Sequence, residues 1–172
     1  NKTATSKEIL TLNLQSFEYE PRKKAKFASL DAARQIDGIA NKIKSLYAPL
    51  NGKADKGNQF VQTFHHALFS YISHRIPEIS DELYRIDDAL KAGFGWEIGA
   101  FETWDVLGVS NVVTQMKENG YAVAPWVSTM LSNGDSFYKI KEGKRYYYDI
   151  KTASYLLIPG ADSFIILSDL HE

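Results

Sequence analysis

Residues Gly93–Gly108 read GFGWEIGAFETWDVLG, and the fold turns on how that stretch is built. Its four glycines alternate with Phe94, Trp96, Ile98, Phe101, Trp104, Val106 and Leu107. Glycine serves positions of positive φ or close backbone approach, and aromatic side chains bury the most area per residue once the backbone admits them. The mixture predicts a bent connection between two helices, sunk into the core, with the rest of the chain packed around it.

Working outward, Ser80 with Asp81 and Glu82 behind it predicts a helix start, with cap and acid where the helix dipole favours them. Leu83, Ile86, Ala89 and Leu90 give that helix an apolar face, and Gly93 is its expected terminal residue. Before it, apolar residues at spacings of three and four predict a long helix from Ser29 to about Tyr47. A second runs from about Lys56 to His74 with Phe60, Phe64, Ala67, Leu68, Tyr71 and Ile72 inward. After the bend a short helix covers about Phe101 to Leu107 and closes at Gly108. Ser110 is read as the cap of the next, which ends at Gly120, and Pro125 as the first residue of a last one reaching Asn133. From Phe137 the period changes to two. Phe137–Ile140 and Lys144–Ile150 around Lys141-Glu142-Gly143 read as a hairpin, and Tyr155–Ile158 with Phe164–Leu167 as a second.

The chain has 172 residues, enough for one ordinary core. Twenty basic against 21 acidic residues give a net charge of -1, so no global field recruits nucleic acid or an anionic membrane. The absence of cysteine excludes disulfides, thiolate metal sites and a thiol nucleophile. No apolar run approaches the roughly 20 residues that cross a bilayer, and a cytoplasmic location is expected. The Asn at the first position and the apolar run entering charge at the end suggest a piece cut from a longer polypeptide.

Candidate chemistry is sparse. His65 and His66 face different sides of one helix, His74 lies further along it and His171 is near the end, so no metal site is expected. Asp87 and Asp88 precede the bend, where a carboxylate can accept the backbone N–H groups that a bent segment leaves free. Glu102 falls in a first helical turn and Asp105 in the same short helix. Gly93-Phe94-Gly95 follows a helix rather than a strand, the wrong context for a dinucleotide-binding turn. Arg22, Lys23, Lys24 and Lys26 form a basic cluster after Pro21. It reads either as a solvated segment or as a seat for a phosphate-bearing ligand, and the sequence does not choose.

The run from Ile86 to Glu102, IDDALKAGFGWEIGAFE, continued by Trp104-Asp105-Val106-Leu107-Gly108, closely resembles the helical C-terminal domain of the 3-hydroxyacyl-CoA dehydrogenases. Asp88, Gly93, Phe94, Gly95, Trp96, Gly99, Phe101, Glu102, Asp105 and Gly108 carry the motif, with Ala100 in the usual proline position. The Pro21-Arg22-Lys23-Lys24 arm, Arg75–Ile79, Pro125-Trp126-Val127 and Ser136–Lys139 leading to Tyr146–Asp149 look like the middle of long bacterial polypeptides. In those, a dehydrogenase is fused ahead of an enoyl-CoA hydratase domain.

The resemblance implies a mainly α fold, a helical bundle like the 6-phosphogluconate dehydrogenase C-terminal domain with one or two small β-hairpins at its C-terminal end. It divides the chain into an extended basic arm (1–28), a helical domain (29–135) and a hairpin appendage (136–172). It also implies that NAD and the catalytic histidine-glutamate pair belong to an upstream Rossmann domain. The family's substrate-positioning asparagine comes from a first helical copy. The matching region here, Gln59–Phe64, lacks that asparagine, and Asn58 lies before it. The expected role is therefore that of a second, degenerate copy without catalytic or cofactor-binding residues, in a parent that acts on acyl-CoA. Its partners would be the upstream domains, a downstream hydratase domain and, through apolar surface, a second copy. The competing readings are a stand-alone module that holds CoA phosphates with Arg22, Lys23, Lys24 and Lys26, and a helical protein-interaction module.

Overall fold

The computed structural model describes residues 9–24, 26–49, 52–161 and 163. Its order is β1 (Leu10–Leu12), β2 (Tyr19–Pro21), α1 (Ala28–Arg34), α2 (Ile39–Tyr47), α3 (Lys56–Arg75), α4 (Leu83–Phe94), α5 (Ala100–Leu107), α6 (Val109–Glu118), α7 (Pro125–Asn133), β3 (Tyr138–Lys141), β4 (Lys144–Asp149) and β5 (Ser154–Leu157). The fold is mainly α with two small antiparallel sheets, as the sequence predicts.

The elbow is half buried, not wholly sunk. Gly99, Ala100, Phe101, Thr103 and Trp104 are buried, whereas Phe94 is 73% exposed and Gly93, Gly95 and Glu97 face solvent. Helix α4 runs past its expected stop, through Gly93 and Phe94, and Gly95 adopts the left-handed conformation (φ 66) that ends it. Trp104 stacks on Phe69 of α3 at 4.6 Å, and Phe101 and Trp104 meet Phe137 edge-on or tilted at 5.0 and 5.1 Å. Trp126 of α7 completes this aromatic centre, and its indole N–H donates to the Ser73 carbonyl (2.8 Å).

Several local expectations are corrected. The helix expected from Ser29 to Tyr47 is two helices, broken at Gln35–Gly38 where Gly38 takes φ 79. Ser29 is buried inside α1 and does not cap it; its N–H and hydroxyl donate to Asp55 (2.9 and 2.8 Å). Ser80 forms a tight turn, its hydroxyl accepting from Glu82 N and donating to Glu82 O, and α4 starts only at Leu83. Gly108, not Ser110, precedes α6. Ala100 in the proline position still begins α5. The expected length of α3 is right, and of its expected inner face Ile72 and Leu68 do meet the core, but Phe60, Phe64, Ala67 and Tyr71 do not. Asn58, His66, Phe69, Ile72 and Ser73 are buried, while Phe60, Phe64 and Tyr71 are 71%, 42% and 60% exposed.

The N-terminal arm is a hairpin, with Leu10 opposite Pro21 and Leu12 opposite Tyr19. At the other end β3, β4 and β5 form one antiparallel meander, registered Tyr138↔Tyr147 and Tyr147↔Leu156. Its first turn, Glu142-Gly143, has positive φ at both residues (54 and 68), the geometry that matches strand twist. The strand expected at Tyr155–Ile158 is present, with its bounds one residue earlier. Ser154–Leu157 pairs back onto β4, and Phe164–Leu167 lies outside the described residues.

Candidate functional site

Three carboxylates, those of Asp87, Glu102 and Asp105, gather at the buried half of the elbow. Asp87, fully buried on α4, accepts from the N–H groups of Phe101 (2.8 Å) and Glu102 (3.0 Å), the first free donors of α5, and from the Tyr138 hydroxyl (2.8 Å). Glu102 turns back to accept from Gly99 N (2.7 Å). Helix α5 thus has its N-terminal donors capped by an acid from another helix. Gly99 is required there because a Cβ would collide with the Asp87 side chain. At the other end of α5, Asp105 accepts from Phe137 N (2.7 Å) and Tyr138 N (2.9 Å), fixing the start of the meander. The sequence points to Asp87 or Asp88 as the brace, and the family resemblance assigns Asp88 to the motif. Asp88 is instead exposed and paired with Lys91 (3.2 Å).

Burial sets the charge state of these groups. It raises Asp105 to about 7, against the two backbone donors that favour ionisation, and raises Asp87 to about 6 against Phe101 N and Tyr138. Burial, with Asp87 beside it, pushes Tyr138 well above the usual phenol range. An open cleft of about 700 Å³ adjoins them, lined by Glu97, Ile98, Glu102, Asp105, Tyr138 and Arg145 among others. Lys91 and Arg145 pair with Glu102 across its wall (3.2 and 3.5 Å). Each oxygen of Asp87 and Asp105 accepts a backbone N–H, so the cluster holds α4, α5 and the meander together.

Asn58, the nearest asparagine to the matching region of α3, is fully buried. Its amide donates to Leu46 O (2.8 Å) and Ala48 O (2.9 Å), and its carbonyl accepts from Asp55 N (3.2 Å). The side chain closes the end of α2 on the start of α3. The histidines are likewise engaged. His65 and His74 bond the carbonyls of Val61 and Ser70, and His66 bonds the Tyr47 hydroxyl at 2.7 Å. Burial holds His65 and His66 below the ordinary imidazole range and raises Tyr47 to about 12. His171 lies outside the described residues. Among the described residues no group of three acids or histidines is placed to hold a metal ion.

Arg22, Lys23, Lys24 and Lys26 do come together. They line a separate cavity of about 660 Å³ with Asp31 and Arg34 of α1, two residues that no sequence pattern singles out. A third surface is apolar. A groove of about 410 Å³ lies between α3 and α4, lined by Leu68, Tyr71, Ile79, Ile86, Leu90 and Phe94 among others. Phe60 stacks on Phe64, and Phe64 meets Trp96 edge-on, to continue the aromatic surface. No helix among the described residues is long and apolar enough to cross a membrane.

Fold and site together define a class: a helical domain with a small antiparallel sheet, whose buried acids and asparagine serve its own backbone. No family model and no solved structure matches the chain. It is 33% identical over 144 residues to a protein of Bacillus subtilis (strain 168) described as a probable 3-hydroxyacyl-CoA dehydrogenase. The match covers 83% of this chain and 18% of that protein, so the chain corresponds to less than a fifth of its relative's length. That similarity supports the 3-hydroxyacyl-CoA dehydrogenases as the family to which the chain is related.

Proposed function

We propose that the chain is a noncatalytic helical section of an NAD-dependent 3-hydroxyacyl-CoA dehydrogenase, the second and degenerate copy of the family's C-terminal domain. In this reading a Rossmann domain elsewhere in the polypeptide binds NAD and carries the histidine that accepts the substrate hydroxyl proton as hydride leaves the carbon. The section packs against the catalytic helical copy, helps to shape the acyl-CoA cleft and presents its C-terminal sheet toward a hydratase domain. The location proposed for the whole enzyme is cytoplasmic.

The observation that carries this reading is Asn58. A positioning residue needs a free carboxamide at a cleft, and both amide hydrogens and the carbonyl of Asn58 are occupied by backbone in a fully buried place. The exposed stripe of Phe60, Phe64 and Tyr71 supports the packing role, because a continuous aromatic surface on one helix marks an interaction face. Its proposed occupant is the catalytic helical copy, and the share of the relative that lies outside the matched segment leaves ample chain to supply it.

The test is oxidation of NADH with acetoacetyl-CoA by this chain alone. No turnover is expected. Turnover above the uncatalysed rate, abolished by replacing any residue of this chain, would overturn the division of labour.

A further inference from the structure

The basic cavity near the N-terminal hairpin is unlike the rest of the surface. The six described residues that line it are all charged: Arg22, Lys23, Lys24, Lys26 and Arg34 against Asp31. Five cations against one carboxylate leave four net positive charges on one small wall, in a chain whose total is -1. Asp31 is committed to Arg34 at 3.0 Å. Among the described residues, Arg22, Lys23, Lys24 and Lys26 have no ion-pair partner.

Solvated lysines on a free loop move apart, because like charges repel and water screens them best when separated. This segment is anchored on both sides. Pro21 is paired with Leu10 in the hairpin, and α1 is tied to α3 through the two bonds from Ser29 to Asp55. Gly57 keeps that junction close, since a Cβ there would strike the Ser29 hydroxyl. The cations therefore stay gathered around a concave space of about 660 Å³, the size range of small-molecule sites. A phosphate group carries about 1.5 to 2 negative charges near neutral pH, so two such groups match the wall's net charge. The Arg22 guanidinium supplies the planar donor pair that phosphate oxygens accept.

We infer that this cavity binds a small molecule carrying two or more phosphate groups, of which a diphosphate is the simplest. The site stands apart from the dehydrogenase reading, and its test reads binding, not turnover.

The experiment is calorimetric titration of the chain with pyrophosphate, CoA and inorganic sulfate, with sedimentation on phosphatidylglycerol vesicles as a separate arm. Saturable binding of pyrophosphate or CoA is expected, weakening by about tenfold or more when salt is raised roughly tenfold. CoA without pyrophosphate binding identifies the nucleotide as the source of recognition, and both together identify the diphosphate. The double variant Lys23→Glu with Lys24→Glu should lose at least about tenfold in affinity at an unchanged thermal midpoint, since both side chains are exposed. Lys117→Glu, at the far end of α6, should bind normally. The proposal is overturned by the absence of saturable binding, by sulfate binding as tightly as pyrophosphate, by binding to vesicles only, or by affinity that survives the double variant.

Discussion

Two aromatic regions of this molecule meet opposite fates. In α5, Phe101 and Trp104 are fully buried, while in α3 Phe60 and Phe64 are largely exposed, although both helices carry aromatics at helical spacing. The difference lies in the polar residues between them. Asp87 and Asp105 take hold of α5 at both ends through backbone N–H groups and draw its aromatics into the centre. In α3 the polar residues themselves face inward. Asn58 bonds the end of α2, His66 bonds Tyr47, and Ser73 accepts from Ala124 N and Trp126, so Phe60 and Phe64 are turned out. Where a helix points is decided by which polar side chains find backbone partners, and aromatic content alone does not decide it.

The contrast can be broken by substitution. Trp104→Ala should destabilise the fold by about 3–5 kcal/mol, read as a fall in the urea midpoint, because the cavity would lie between Phe69 and Phe137. A loss under about 1 kcal/mol would mean the aromatic centre is loose. Asp87→Ala should cost about 3 kcal/mol, since it leaves Phe101 N, Glu102 N and the Tyr138 hydroxyl without their acceptor. Gly99→Ala acts on the same contact by collision and should cost about 1–3 kcal/mol.

The buried acids also predict a pH dependence. Asp87 is raised to about 6 and Asp105 to about 7, so between those values and the ordinary carboxylate range the folded protein holds protons that the unfolded chain has released. Their contribution to stability is complete below about pH 4 and is lost as pH rises through about 6 and then about 7. The urea midpoint should therefore fall between about pH 4 and about pH 7, and Asp105→Asn should flatten that slope while lowering the whole curve. A midpoint that rises over the same interval in the wild type, and does so unchanged in Asp105→Asn, would assign the buried acids the opposite role. The smallest effect belongs to the outer face of α3. Phe60→Ser and Phe64→Ser should change the stability of this chain by no more than about 0.5 kcal/mol. A larger loss would place those rings in the fold itself and remove them from the interaction face.

Much of this architecture is legible in the residues. Pro125 opens α7, Gly108 closes α5, and the Glu142-Gly143 turn falls between two runs of period two. The brace at the bend is legible as one of two adjacent aspartates, and the side of α4 that faces α5 makes it Asp87. The inner face of α3 is legible only at Leu68 and Ile72. Hydrophobicity points to Phe60, Phe64 and Tyr71, and only the distant carbonyls of Leu46 and Ala48 explain why Asn58 goes inside. The break at Gly38 is hidden because the apolar spacing carries on across it. The basic residues 22–26 are visible as a cluster, but Arg34 joins them only through the path of α1.

Hydrogen exchange at the four backbone amides that donate to Asp87 and Asp105, those of Phe101, Glu102, Phe137 and Tyr138, tests the architecture of the elbow most directly. If the two carboxylates hold α5 and the meander together, all four should exchange only through global unfolding, and Asp87→Ala should release Phe101 and Glu102 first. Rapid exchange at these amides in the wild-type chain, on the scale of an unprotected amide in a free peptide, would contradict it.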